Sequence, residues 1–152
     1  TQRNIPTATL DHKQYARPDH EKAILAALEA HNADHILLAG YMRILSAEFL
    51  EAFSGKVINI HPSLLPDFRG LHAVERQWEA NVKVSGATVH LVTPEVDEGP
   101  ILLQGSLDVH GNEGPDGLAN RILQEVEHLI YPRAIWLFIQ REYPTSNPEN
   151  KS

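Results

Sequence analysis

Asn59 and His61 are the residues whose types and spacing first suggest chemistry. They flank Ile60 at the carboxyl end of KVINI, residues 56–60, a compact apolar run that reads as a strand. Side chains in a strand alternate with a period of two, so both can leave the sheet on the same side. An amide that donates to a developing oxyanion, beside an imidazole that moves a proton, suits acyl transfer. The same pair also fits an ordinary strand end followed by a surface loop histidine, and two residues alone do not separate these readings. A third candidate, Asp97, lies in the turn-rich PEVDEGP stretch, where a carboxylate could approach His61 and favour imidazolium through opposite charge. Asp in such a turn is equally ordinary turn chemistry.

The elements that must position these groups can be read in part. Residues 5–10 are short and partly apolar and allow a terminal strand beginning at or near Pro6. Asp19 is the predicted cap of a helix in which Ile24, Leu25 and Leu28 recur at helical spacing, ending near Asn32. The run at 35–39 is nearly continuous in apolar residues, as in a parallel strand buried on both faces, and Gly40 ends it. Ser46 caps a short helix closed by Gly55, and 56–60 is the next strand. HPSLLPDFRG at 61–70 must be a loop, followed by a helix over 73–80. Residues 86–93 and 101–109 form a predicted antiparallel pair. Beyond the turn cluster HGNEGPDG, the residues Leu118, Ile122, Val126, Leu129 and Ile130 trace one face of a long helix that Pro132 should kink or divide. The fold class is α/β, a mixed sheet flanked by helices.

Composition narrows the function. A chain of 152 residues with 42% hydrophobic content has the size of one globular domain. With 13 basic against 20 acidic residues and a formal charge of -7, no global field draws it to nucleic acid or an anionic membrane. No apolar run reaches the roughly 20 residues of a spanning helix, and no apolar secretory h-region opens the sequence. The absence of cysteine removes thiolate zinc sites and cysteine nucleophiles, and a cytoplasmic location fits. Among nine histidines, His61, His72 and His90 fall in separate elements, and no pair has the helical spacing of metal ligands beside an acid. No metal is expected, and His72 and His90 read as polar neighbours of the site.

Three ordered blocks carry a resemblance that patterning cannot supply: AGYMRIL at 39–45, NIHPSLLPDFRGLHA at 59–73 and GATVHLVTPEVDEGPILLQ at 86–104. With YARPDHEKA near the start and EVEHLIYP near the end, they resemble the signature blocks of the phosphoribosylglycinamide formyltransferases. Formyltetrahydrofolate hydrolases and methionyl-tRNA formyltransferases share the Asn, His and Asp set, but PSLLP followed by GLH is more like the glycinamide enzymes. The resemblance implies a Rossmann-like formyltransferase fold with a mostly parallel mixed sheet. It also implies formyl transfer from 10-formyltetrahydrofolate, as co-substrate, to the glycine amine of glycinamide ribonucleotide, with Asn59, His61 and Asp97 as the catalytic set. Folate-site residues implied in the same way are Arg17, Met42, Arg43, Ile44, Leu45 and Asn59 on one side, and Thr93, Pro94, Glu95, Val96 and Asp97 on the other. Gln124, Glu125, Val126 and Glu127 match a segment near the nucleotide, Glu127 as acceptor for ribose hydroxyls, although a polar helix face would look the same. A cis bond at Leu65-Pro66 is a further expectation from the family.

The family opens with a strand, a glycine-containing phosphate loop and a helix that have no counterpart in these residues. The expectation is therefore a partial formyltransferase domain over 1–142 and a polar, mobile tail over 143–152. The strand near 35–39 should lack a neighbour and expose apolar surface, unless a missing segment or a partner chain completes the sheet. A hydrolase, or a folate-binding module without catalysis, remains the alternative.

Overall fold

The computed structural model describes residues 5–142. The expected tail therefore lies outside the described residues. From Ile5 to Leu10 there is no regular structure, so the terminal strand expected there does not form. Those residues gain no sheet partner, and a short strand without one has nothing to hold it.

Helix α1 is Arg17–Ala30 and starts from Ala16, not from Asp19. Pro18 in the first turn explains the shift: its fixed φ and missing N–H suit a helix start, so Asp19 becomes a first-turn acid rather than a cap. Strand β1 (Ile36–Leu38) follows, then α2 (Ala47–Ala52), where the Ser46 hydroxyl accepts the Phe49 N–H at 3.1 Å as the sequence predicts. Strand β2 (Val57–His61), helix α3 (Ala73–Glu79), and strands β3 (Val84–Leu91) and β4 (Ile101–Asp108) complete the middle of the chain.

The sheet order is β1-β2-β3-β4. It is mixed: β1 pairs parallel with β2, while β2–β3 and β3–β4 are antiparallel, so the parallel part is confined to one pairing. Strand β1 stands at the edge of the sheet, and its Leu37 is 48% exposed. This matches the apolar exposure expected of that strand.

Two cores sandwich the sheet. Ile58 and Ile60 of β2 join Ala87, Val89, Leu118, Ile122 and Val126 on one side. Val57 packs on the other side with Ile36, Leu45, Phe49 and Leu50, against α1 and α2. The strand period then puts Asn59 and His61 on the same face as Val57.

The long C-terminal helix consists of α4 (Gly114–Arg121), a π-helical segment (Ile122–Glu127) and α5 (His128–Glu142). Pro132 lies inside α5 and does not divide it. The irregularity sits upstream, and it changes the buried face. Leu118, Ile122, Val126, Ile130 and Ala134 all pack toward the sheet, a spacing of four throughout. A plain α-helix, at 3.6 residues per turn, drifts away from that spacing; the wider i→i+5 turn of the π segment restores the phase. Leu129, expected on the buried face, is consequently turned out and 67% exposed.

Candidate active site

Strand pairing assembles the site. In the β2–β3 register Asn59 lies opposite His90, and His61 lies opposite Thr88. Asn59, His61 and His90 therefore emerge on one face, with Asn59 Nδ2 3.4 Å from His90 Nε2. Asp97 reaches them from the turn between β3 and β4, in a left-handed conformation with φ of 54°. Its Oδ2 is 3.4 Å from His61 Nδ1 and accepts the Gly70 N–H at 2.8 Å, while its Oδ1 is 3.5 Å from His90 Nε2. One carboxylate thus faces both imidazoles. Burial works to push its carboxyl up, but the hydrogen bond from His90, the Gly70 N–H and the electrostatic attraction of His61 and His90 outweigh burial and hold it down at about 2.

The outer nitrogens of both rings are also engaged. His61 Nε2 lies 2.9 Å from Phe68 O, and His90 Nδ1 lies 2.9 Å from Leu91 O. A protonated His61 can donate to Phe68 and Asp97 together. Fixed partners of this kind set ring orientation before any ligand arrives.

The loop that carries Phe68 and Gly70 is fastened from beneath. Thr88 Oγ1 donates to Ser63 O at 2.7 Å and accepts the Leu65 N–H at 3.0 Å, and Gln104 Nε2 donates to Leu65 O at 2.9 Å. Ser63 Oγ donates to Asp67 O, and Gln77 Nε2 donates to Pro62 O. The Leu65-Pro66 bond is cis, as the family resemblance leads one to expect. Gly99 allows the Asp97 turn to lie flat on β3, since a Cβ there would come within 1.7 Å of Leu91 O.

These groups sit in a cleft of about 1380 Å³. The segment from Gly40 to Leu45 lines it, and so do Thr93, Pro94, Glu95, Val96 and Asp97. Leu45 turns inward and is buried, whereas Met42 and Ile44 are 69% and 58% exposed and line the cleft with apolar side chains. Glu127, His128 and Tyr131 line the end nearest the C-terminal helix. Burial pushes the Glu127 carboxyl up, with His128 opposing. Tyr131 donates its hydroxyl toward Leu38 O at 2.7 Å and Ile58 O at 3.1 Å, tying α5 to the backbone of β1 and β2, and burial pushes its phenol up to about 12.

The expected site residues are thus not all together. Asn59, His61, Asp97, Met42, Arg43, Ile44, Leu45, Thr93, Pro94, Glu95, Val96 and Glu127 line one cleft. Val126 faces the core, Glu125 pairs with Arg121 at 3.0 Å one turn back, and Gln124 is exposed on the helix; none of these three lines the cleft. Arg17 begins α1, but its side chain lies outside the described residues. Sequence reasoning gave His90 only a supporting role and did not single out Tyr131. The cross-strand position of His90 depends on a register that local pattern does not fix, although the YP pair after a helical Glu was a usable signal for Tyr131.

The chain is similar to known proteins over most of its length. The chain is 44% identical over 134 residues to the trifunctional purine biosynthetic protein adenosine-3 of Gallus gallus, covering 88% of this chain but 13% of that protein. It is 41% identical over 133 residues to a phosphoribosylglycinamide formyltransferase of Bacillus subtilis (strain 168), covering 87% of this chain and 68% of the relative. A solved phosphoribosylglycinamide formyltransferase from Bacillus halodurans superposes with a TM-score of 0.85 at 38% identity, over 93% of this chain and 73% of that one. A family model described as formyl transferase matches residues 1–135, and the chain belongs to that family.

Proposed function

We propose that this chain forms the donor-binding and catalytic part of an enzyme that moves a formyl group from 10-formyltetrahydrofolate to the glycine amine of glycinamide ribonucleotide, in the cytoplasm. The observation that carries the reading is the Asp97 carboxylate, bridging His61 and His90 beside Asn59 on the floor of an apolar-walled cleft. Exposed Met42, Ile44 and Val96 can sandwich a flat heterocycle, and the cleft volume exceeds the usual range for a single small-molecule site, leaving room for both donor and acceptor. Glu127, at the other end of the cleft, suits the hydroxyls of an acceptor ribose.

In the reaction the acceptor amine attacks the formyl carbon, a new N–C bond forms, and the carbonyl electron pair moves onto oxygen. The Asn59 amide and protonated His61 donate to that oxygen, which carries more charge in the transition state than in the ground state. His61 Nε2 is the available donor, because the formyl oxygen can replace Phe68 O as its acceptor while Asp97 keeps Nδ1. Collapse breaks the bond from the formyl carbon to the folate nitrogen, and the proton lost by the amine passes to that nitrogen through His61 or a water beside Asp97. No covalent enzyme intermediate is needed. No group of three or more His, Cys, Asp or Glu side chains placed to hold a metal occurs among the described residues.

The deciding experiment is an assay of the full-length polypeptide containing this chain with formyl folate and glycinamide ribonucleotide, following release of tetrahydrofolate and formylated product. Amine-dependent formyl transfer is expected. Formate release that needs no amine would assign a hydrolase, and folate-analogue binding without turnover a binding module; either result overturns the proposal.

A further inference from the structure

The cleft wall at residues 40–45 has no regular secondary structure, yet two adjacent side chains of α1 hold its second half, at Arg43 and at Ser46 just beyond it. Glu21 is 8% exposed and accepts the Ser46 N–H at 3.1 Å on Oε1, while Oε2 accepts the Ser46 hydroxyl. That hydroxyl in turn accepts one of the free N–H groups in the first turn of α2, from Phe49. His20 is 5% exposed and lies with Nε2 3.0 Å from Leu10 O and Nδ1 3.4 Å from the Arg43 guanidinium. The carbonyl requires Nε2 to carry the proton, which leaves Nδ1 as an acceptor for Arg43. The rings of Tyr15 and His12 pack around His20 at 5.8 and 6.4 Å between centroids.

From this we infer that His20 and Glu21 form a two-point clamp that positions the donor-binding wall, with His20 orienting Arg43 and Glu21 fixing the exit of the loop into α2. The inference rests on the proposed folate reading of the cleft. Neither side chain lines the cleft, so both are positioning residues and not catalytic ones. The loop has an inward anchor of its own, since Leu45 is buried and Tyr41 packs on the same cluster as Ile24, Leu25 and Leu28 of α1. Those contacts fix the loop's distance from α1. They do not fix the direction of Arg43 or the entry to α2, which is what directional hydrogen bonds supply. A preorganised wall then offers Met42, Arg43 and Ile44 to the donor without an ordering cost at the moment of binding.

The test uses His20→Phe, which keeps a ring but removes the acceptor, and Glu21→Gln, which keeps the shape but removes the charge, with His20→Gln as the conservative rescue. Amide hydrogen exchange over residues 40–49 in the unliganded full-length protein reads the clamp directly, and affinity for a folate analogue with the split of KM and kcat reads its consequence. We expect at least tenfold faster exchange in that segment, roughly tenfold weaker analogue binding and a donor KM raised by a similar factor with kcat little changed. His20→Gln should recover part of the affinity. Unchanged exchange in both His20→Phe and Glu21→Gln overturns the clamp. Faster exchange with unchanged affinity and KM overturns the positioning role. If the unsubstituted protein binds no folate analogue while exchange still responds to the substitutions, the folate reading falls and the clamp stands on the exchange data alone.

Discussion

Replacing Asp97 by Asn keeps the shape of the side chain and removes its charge, so it isolates what the carboxylate contributes. In the fold this carboxyl titrates at about 2 against an ordinary 3.8. A difference of nearly two units corresponds to about 2 kcal/mol of native-state stabilisation when the group is ionised. The sign follows from the direction. A depressed carboxyl contributes fully above its unfolded value, near pH 4, and loses the contribution as pH falls through about 2. Asp97→Asn should therefore be less stable than the parent by up to about 2 kcal/mol at pH 7. The gap should narrow between pH 4 and 2. Urea denaturation at pH 7, 5, 4 and 3 measures it. The catalytic effect should be larger, because Asn cannot give His61 a charged partner; a turnover loss of roughly 10²–10⁴ is the scale for disabling proton transfer. Donor affinity should stay near normal, since the apolar walls are untouched. A turnover within threefold of the parent, or a stability gap that does not change with pH, would refute the view of Asp97 as the charged partner of His61.

Four further outcomes follow from the same geometry. His61→Ala should match Asp97→Asn in turnover, and the double variant should be little worse than either alone, because residues acting as a unit are not additive; steady-state kinetics of the three variants checks this. Gly99→Ala should displace the Asp97 turn, since its Cβ would meet Leu91 O at 1.7 Å, and should lower both melting temperature and turnover. Tyr131→Phe removes the side-chain donor to the carbonyls of Leu38 and Ile58, which keep their places in the sheet, and should cost about 0.5–1.5 kcal/mol in denaturant unfolding. Glu127→Gln should leave stability equal or higher at neutral pH, because burial penalises the ionised carboxylate there, while raising the acceptor KM; thermal unfolding and acceptor titration separate the two effects.

Much of the fold was legible because its signals are local. The apolar run ending at Asn59, the Ser46 cap and the helical spacing of Ile24, Leu25 and Leu28 each state their own conformation. Misreadings arose where a neighbour decides the outcome. Asp19 had the chemistry of a cap, but Pro18 set the start of α1 one turn earlier. Leu129 fits the buried face on α-helical spacing, and only the π segment at Ile122–Glu127 turns it outward. Residues 5–10 have strand-like composition and no strand to pair with.

The site divides along the same line. Asn59 and His61 share a strand, so their common face follows from alternation alone. Asp97 and His90 do not: one depends on a left-handed turn residue and the other on the β2–β3 register, both of which are tertiary facts. That dependence explains why the constellation has its present form. In strand β2 the same-face neighbour of His61 is the neutral Asn59, so the facing carboxylate comes from another element, and a short turn between antiparallel strands can bring it back over the sheet end. The turn is held there by the Gly70 N–H, from the loop whose Phe68 carbonyl occupies the other nitrogen of His61. Loop 61–70 and the Asp97 turn are therefore coupled through His61, and a change that shifts either one should be felt at both ring nitrogens together.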